Sequence, residues 1–333
     1  MTSDLSMWPL AVATLCFLAA NALFPRARRG ARSPRAVPVM RIINHREDDR
    51  DEAARHAGRS EGPSGPPVAL HDISYDVDAL PEEPTEQTSA FRLECAARTD
   101  RGLCRKHNED RLLLLEKEHV FVVADGMGGH AGGALASELA VSAIARTVFG
   151  GDGHQTAGHS DRIPAQAAAL VTAIGAANEA VRRTADADDR FADMGTTVVA
   201  ARFCPRKRRL YVGHVGDSRC YRLRGGKLRQ ITLDHTMGAL GVTGPSAQHL
   251  SRAVGTRDRV EPDITVLRPE AGDVYLLCSD GLTKMMGDDA IAAVVAGSVD
   301  AEHAVEELVR GANERGGKDN VTAIVVRVIA KAA

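Results

Sequence analysis

Aromatic side chains are scarce in this 333-residue chain, at 4% with one tryptophan. Its core must therefore be packed mainly from aliphatic residues. A surplus of one charge sign is also missing. The formal net charge is −2 with 26% charged residues, so no basic field exists to attract nucleic acid, and none is expected as a partner. Cysteine is sparse and unpaired. The six positions 16, 95, 104, 204, 220 and 278 contain no Cys-x-x-Cys spacing, which argues against a zinc site and a disulfide framework. They read as reduced thiols, mostly in the core of a cytosolic domain. Apolar runs long enough to span a bilayer are missing too, with one exception near the N-terminus.

That exception is residues 7–24, "MWPLAVATLCFLAANALF", about the shortest run that spans a bilayer as a helix. Trp8 and Phe24 stand near its ends, as interfacial aromatics do. "PRARRGARSPR" follows, with five arginines and no acid. Positive charge stays inside, so the expectation is a single-pass inner-membrane anchor over residues 1–24, with the bulk of the chain in the cytoplasm. A cleaved signal peptide fits poorly, because "MTSD" has no basic residue. The alternative is a cytoplasmic protein carrying a meaningless apolar tail. Residues 25–88 are charged, then rich in proline and glycine. Such a segment cannot bury enough apolar surface to offset its ordering entropy, so it reads as a tether with a short strand around 68–77.

The remainder, 89–330, carries the compact signals. Strand-length apolar runs occur at "RLLLLE", "HVFVVAD", "TTVVAARF", "RLYVGHVGD", "CYRLR", "DVYLLCSD" and "VTAIVVRVI". "GG" at 225–226 predicts a hairpin turn. Helical periodicity covers 134–148, 165–185, 288–296 and 301–314. Runs of consecutive strands favour antiparallel sheets with helices packed outside, an α+β layering.

Several of these strands end on an acid followed by glycine or asparagine: Asp125-Gly126, Asp280-Gly281 and, before the last strand, Asp319-Asn320. Asp217 closes "YVGHVGD", and Glu109 with Asp110 precedes "RLLLL". Each alone reads as a turn, since Asp-Gly is a common turn pair. Together they suggest carboxylates converging at one edge of the core, where they would repel unless a cation neutralised them. Oxygen ligands without convergent His or Cys point to Mg²⁺ or Mn²⁺. The carbonyl of Gly126 is bare enough to join them. The rival reading of "DGMGGHAGG" is a phosphate loop. A Walker loop is excluded because Ala-Leu, not Lys-Ser/Thr, follows Gly133. A dinucleotide fingerprint lacks its βαβ unit and ribose acid.

The ordered set "TDRGLCRKHNED", "VVADGMGGHAGG", "DMGTTVV", "HVGDSRCYRLR", "LLCSDGL" and "KDNVTAIVV" resembles the metal-dependent protein phosphatases of the protein phosphatase 2C family, in particular their bacterial branch. The resemblance covers about 91–329. It implies a four-layer αββα sandwich, two antiparallel β-sheets flanked by helices with a metal cluster at one end. By position, Asp125 would bridge two tightly bound Mn²⁺ or Mg²⁺ ions, with Asp280 and Asp319 completing the first site. Glu109, through water, and the Gly126 carbonyl would serve the second. Asp110 would hydrogen-bond the metal waters, Arg105 would bind the substrate phosphate, and Asp193 would hold a third, weaker ion. Asp217 would be a turn former supporting the cluster.

The implied function is a serine/threonine protein phosphatase, acting as a monomeric domain on proteins phosphorylated by a cognate kinase. A hydroxide bridging the metals would attack phosphorus in line, and a guanidinium suits bidentate phosphate binding better than an amine. Some relatives carry His after Asp-Gly as a leaving-group acid; here Met127 stands there and His130 comes later. His130 is expected to cap or pack its helix, and His214 and His235 to be structural or surface residues. Residues 233–260, with several glycines and no long period, correspond to a variable flap beside the site. Two other functions stay open: a phosphatase of small phosphorylated metabolites, and an inactive phosphoprotein-binding adaptor.

Overall fold

The structure, a computed structural model, describes residues 73–76, 91–149 and 164–331, apart from the side chain of His130. Two sheets lie at its centre. The larger has seven strands: β1 (Ile73–Tyr75), β10 (Asp263–Leu267), β7 (Arg209–Val215), β6 (Val198–Cys204), β4 (Val120–Met127) and β3 (Asp110–Leu115) in that order, with β5 (Gly195–Thr196) pairing β4. The smaller runs β2 (Phe91–Asp100), β12 (Val321–Ala330), β11 (Val274–Cys278), β8 (Arg219–Arg224) and β9 (Lys227–Gln230). Helices α1 (His130–Phe149) and α2 (Ala165–Ala187) belong with the first sheet. The one-turn α3 (Asp280–Thr283), α4 (Asp288–Gly297) and α5 (Ala301–Glu314) belong with the second. This is the expected α+β sandwich, with one addition: β1 pairs with β10 in parallel, while the other strand pairs are antiparallel.

The alternation along β11 and β12 explains why these strands read as unbroken apolar runs. Tyr275, Leu277, Ile324 and Val326 face the core shared with the first sheet. Their neighbours Leu276, Cys278, Ala323 and Val325 face α4 and α5. Successive side chains point to opposite faces, and here both faces are covered. Three aromatic rings meet between the sheets. Phe203 of β6 lies edge-on to Phe121 at 5.8 Å and to Tyr275 of β11 at 5.4 Å.

The helices agree with the periodicity to within a few residues. Three elements were not legible. β2 interleaves charged residues because it is an edge strand, yet it pairs with β12 along ten residues. β10 is short and bounded by Pro262 and Pro269. The α3 turn hides inside "SDGLT". Cysteines 220 and 278 are buried, 95 and 204 are half-buried and 104 is exposed. Among the described residues no helix is long and apolar enough to cross a membrane; the candidate anchor over 7–24 lies outside them, as does most of the 25–88 segment.

Ile73–Asp76, from the end of that segment, is part of the fold. Asp76 is buried and accepts from Arg222 and Arg229, each at 2.7 Å. β1 belongs to the first sheet and the two arginines to β8 and β9 of the second, so this ion triad ties the sheets together at one edge.

Candidate metal centre

A cleft of about 340 Å³ opens where strands of both sheets end. Asp125 reaches it from the end of β4, Glu109 from just before β3, Asp217 from the turn between β7 and β8, Asp280 from the start of α3, and Asp319 from the loop before β12. Gly126 and Arg105 also line it. The chain brings these residues together from distant positions, and the links that do so are specific. Asn320 accepts from the Glu109 amide at 2.8 Å, while its own amide donates to the carbonyls of Arg101 and His107. One buried side chain thereby joins the loop before β12 to the loop before β3. The Thr196 hydroxyl donates to the Asp125 carbonyl at 2.9 Å, and the Thr197 amide donates to it at 2.8 Å, holding the end of β4.

Gly126 is required by close approach. A Cβ there would come within 2.0 Å of the Gly133 carbonyl oxygen and 2.8 Å of the Glu109 carbonyl oxygen. Gly133 in turn lies against the Glu109 carboxylate, which a Cβ would meet at 2.1 Å. The two glycines make room for Glu109 at the cleft wall.

Asp110 sits beneath this floor. It is buried, opposite Asp125 in the β3–β4 register, and its Oδ2 accepts from Ser279 at 2.8 Å and Thr322 at 2.6 Å. Thr322 lies in β12 and Ser279 directly follows β11, so Asp110 is anchored to the second sheet. Its Oδ1 is buried with no hydrogen-bond partner among the described residues, and so is Oδ1 of Asp280.

The electrostatics follow from the crowding. Burial raises Asp110 to about 6; the Thr322 and Ser279 hydrogen bonds oppose this, and Asp280 and Asp319 add to it. Burial, then Asp280, raise Asp217 to about 7. Burial pushes Asp125 well above the usual carboxylate range, helped by Asp110, Asp280, Asp217 and Asp319. Asp280 is raised by burial and by Asp319 against the pull of Lys284. Carboxylates in this state repel one another.

Two cations of the chain reach the cluster. One Arg105 nitrogen lies 2.8 and 2.9 Å from the two oxygens of Asp319. Lys284 contacts Asp280 Oδ2 and lies 3.7 Å from Asp319 Oδ2. Among the described residues no three His, Cys, Asp or Glu side chains are already closed around one point. The arginine and lysine occupy the carboxylate oxygens instead. The donor set nonetheless fits a hard divalent cation: oxygen ligands, partnerless buried oxygens and mutually raised acids.

Each expected position has a definite place. Asp125, Gly126, Asp280, Asp319, Glu109 and Arg105 line the cleft, and Asp110 supports it from below. Asp193 does not line it. Its side chain is exposed, and its backbone packs against Gly128, whose φ is +111° and where a Cβ would approach the Asp193 carbonyl to 2.7 Å. Asp217 was read as a turn former; it also lines the cleft among the acids. His214 and His235 are buried, their rings 4.1 Å apart, with His235 Nε2 2.7 Å from Asp263. The sequence reading missed Lys284, Asn320, Thr197, Ser279 and Thr322. The available signal was modest: Lys284 stands one helical turn after Asp280, and Ser279 and Asn320 flank acids already noted.

The flap folds back on itself. Met237 and Gly238 donate to the His249 and Ala247 carbonyls at 2.8 Å, and Gln248 and Leu250 reach the cleft.

The sequence matches the family described as protein phosphatase 2C over residues 104–324. It is 38% identical over 248 residues to the serine/threonine protein phosphatase PstP of Mycobacterium tuberculosis, covering 71% of this chain and 45% of that protein. The chain thus spans about half the length of that relative. It is 33% identical over 253 residues to the serine/threonine phosphatase Stp of Listeria welshimeri, covering 69% of this chain and 93% of that protein. The catalytic domain of PstP in complex with two manganese ions superposes with a TM-score of 0.61 at 36% identity, covering 72% of this chain and 99% of that one. With two sheets, flanking helices and an acid-lined cleft at the strand ends, the chain belongs to the protein phosphatase 2C family.

Proposed function

We propose that this chain is a metal-dependent serine/threonine protein phosphatase whose cleft hydrolyses phosphomonoesters. The observation that carries the reading is the crowding of Asp125, Asp280 and Asp319 beside buried oxygens that have no partner among the described residues. The relatives named as serine/threonine phosphatases support the substrate class, and the manganese in the PstP complex supports the ion.

Two divalent cations bound here would supply an activated water and neutralise phosphoryl oxygens. Asp125 would contribute to holding both ions, Asp280 and Asp319 would hold the first, and Glu109 with the Gly126 carbonyl would serve the second. Asp110 orients water from below, its Oδ2 fixed by Ser279 and Thr322. Arg105 is half exposed at the rim, so its guanidinium can turn from Asp319 to clamp phosphate oxygens. Asp193, exposed beside Gly128, is assigned to a third, weaker ion. The flap, through Gln248 and Leu250, contacts the residues flanking the phosphate. The partners are proteins phosphorylated on serine or threonine by a cognate kinase.

Residues 89–330 together with Ile73–Asp76 are assigned as the catalytic domain, the rest of 25–88 as a tether and 7–24 as an inner-membrane anchor that leaves the domain in the cytoplasm. The uncharged run followed by five arginines supports the anchor; recovery of full-length protein only from the soluble fraction would remove it. The enzymatic reading is tested on a phosphothreonine peptide with Mn²⁺ or Mg²⁺. Turnover should require the ion and stop in excess chelator; full turnover in chelator overturns the reading.

A further inference from the structure

The cleft contains a cation of the chain's own that the assignment above does not use. Asp280 opens α3, and Lys284 closes it one turn later. Side chains four apart on a helix are neighbours, so this lysine is held beside Asp280 by the backbone. Its ammonium also lies 3.7 Å from Asp319, which comes from the loop before β12. It therefore sits on two acids assigned to the same ion.

We infer that Lys284 is a tethered counter-ion, which occupies Asp280 and Asp319 until a divalent cation displaces it, and so sets the metal concentration at which the cleft fills. The inference rests on the reading of the cleft as a metal centre. Two features separate this contact from a permanent ion pair. First, the residue is a lysine with its side chain 48% exposed. An ammonium on a flexible stem is a point charge that can swing into water, unlike a planar guanidinium locked in a fork. Where this chain builds permanent pairs it uses arginine against a buried acid: Arg222 on Asp76 with the pair 9% and 1% exposed, and Arg224 on Asp273 through two 2.7 Å contacts. Second, the oxygens held by Lys284 are those of the acids assigned to the ion. An ammonium and a divalent ion on the same carboxylates repel, so the lysine must leave as the metal arrives.

The competition has two measurable consequences. Removing the ammonium should tighten metal binding, by about tenfold for one unit charge within a few ångström of the ion. It should also leave the metal-free acids less compensated. The experiment titrates Mn²⁺ by calorimetry into metal-stripped full-length protein, without substrate, for wild type, Lys284→Gln and Lys284→Met. The methionine keeps the length of the stem, and melting curves check that each variant folds. Both variants should bind Mn²⁺ about tenfold more tightly and, when metal-free, melt below wild type. If wild type binds Mn²⁺ and both variants bind it equally or more weakly, the inference falls while the metal centre stands. If no protein binds Mn²⁺, wild type included, the metal reading falls and takes the inference with it.

Discussion

Two groups of buried acids in this domain are treated in opposite ways. At one edge of the sandwich, Asp76 is held by Arg222 and Arg229, and Asp273 by Arg224 and the hydroxyl of Tyr275 at 3.0 Å. Each of these carboxylates is answered by a guanidinium of its own. In the cleft, burial and mutual repulsion raise Asp110, Asp125, Asp217 and Asp280, with Asp319 beside them, and the cations that reach the cluster, Arg105 and Lys284, are half exposed. Burying a charge is costly unless it is paired and hydrogen-bonded. The first group satisfies that condition within the chain. The second does not, which is what a site awaiting an external cation requires. Pairing with the largely enclosed Arg222 or Arg224 marks the structural acids, and mutual crowding marks the acids of the candidate site.

The largest effect that would test this contrast comes from the cleft. Asp280→Asn and Asp125→Ala should each lower kcat on a phosphothreonine peptide by a factor on the order of a thousand or more, as losses of a proposed metal-ligating anion. Neither should destabilise the metal-free fold, because each removes a like charge from the cluster; equilibrium urea unfolding after chelation checks this. Asp76→Asn should do the reverse. Breaking a buried pair leaves uncompensated guanidinium charge, at a cost of about 3 kcal/mol in urea unfolding, while kcat at 25 °C stays within about twofold. An Asp76→Asn protein that lost activity at unchanged stability would break the comparison.

Arg105→Ala should lower kcat/KM by roughly 30- to 150-fold, the loss of a charge-assisted contact of about 2–3 kcal/mol, with Mn²⁺ stoichiometry unchanged in calorimetry. Loss of bound metal would instead make Arg105 a support of Asp319. The smallest effect is on pH. Asp110 at about 6 and Asp217 at about 7 lie above the value of about 3.9 for an unfolded chain. The folded, metal-free protein therefore keeps protons that the unfolded chain has released. Its stability is fully present below pH 4 for these groups and declines as pH rises through 6 and 7. The melting temperature of stripped protein should fall by a few degrees from pH 5 to 7.5, and saturating Mn²⁺ should flatten that slope.

Much of the architecture was legible because burial on both faces writes long apolar runs, as in β4, β6, β7 and β12. β2 was not, since an edge strand carries the charges that blur its period, and β10 was too short to stand out. In the site, acids at strand ends were visible as residue pairs, and the ordered motifs assigned their places. What supports them was not visible. Ser279 and Thr322 are ordinary hydroxyls until they meet Asp110 across the two sheets, and Asn320 looks like one half of a turn.

The sequence by itself determined the local events: where strands end, that acids stand at several of those ends, that Gly126 and Gly133 leave bare backbone, and that Lys284 follows Asp280 by one helical turn. These depend on residues a few positions apart, where steric preference and periodicity act directly. Only the tertiary structure decided which ends meet. Glu109 and Asn320 are 211 residues apart, and Asp110 and Thr322 are 212. Their contact follows from packing two sheets face to face, with the strand ends in register across the gap. The crowding that shifts the acids exists only once that packing has brought five separate carboxylates to one edge.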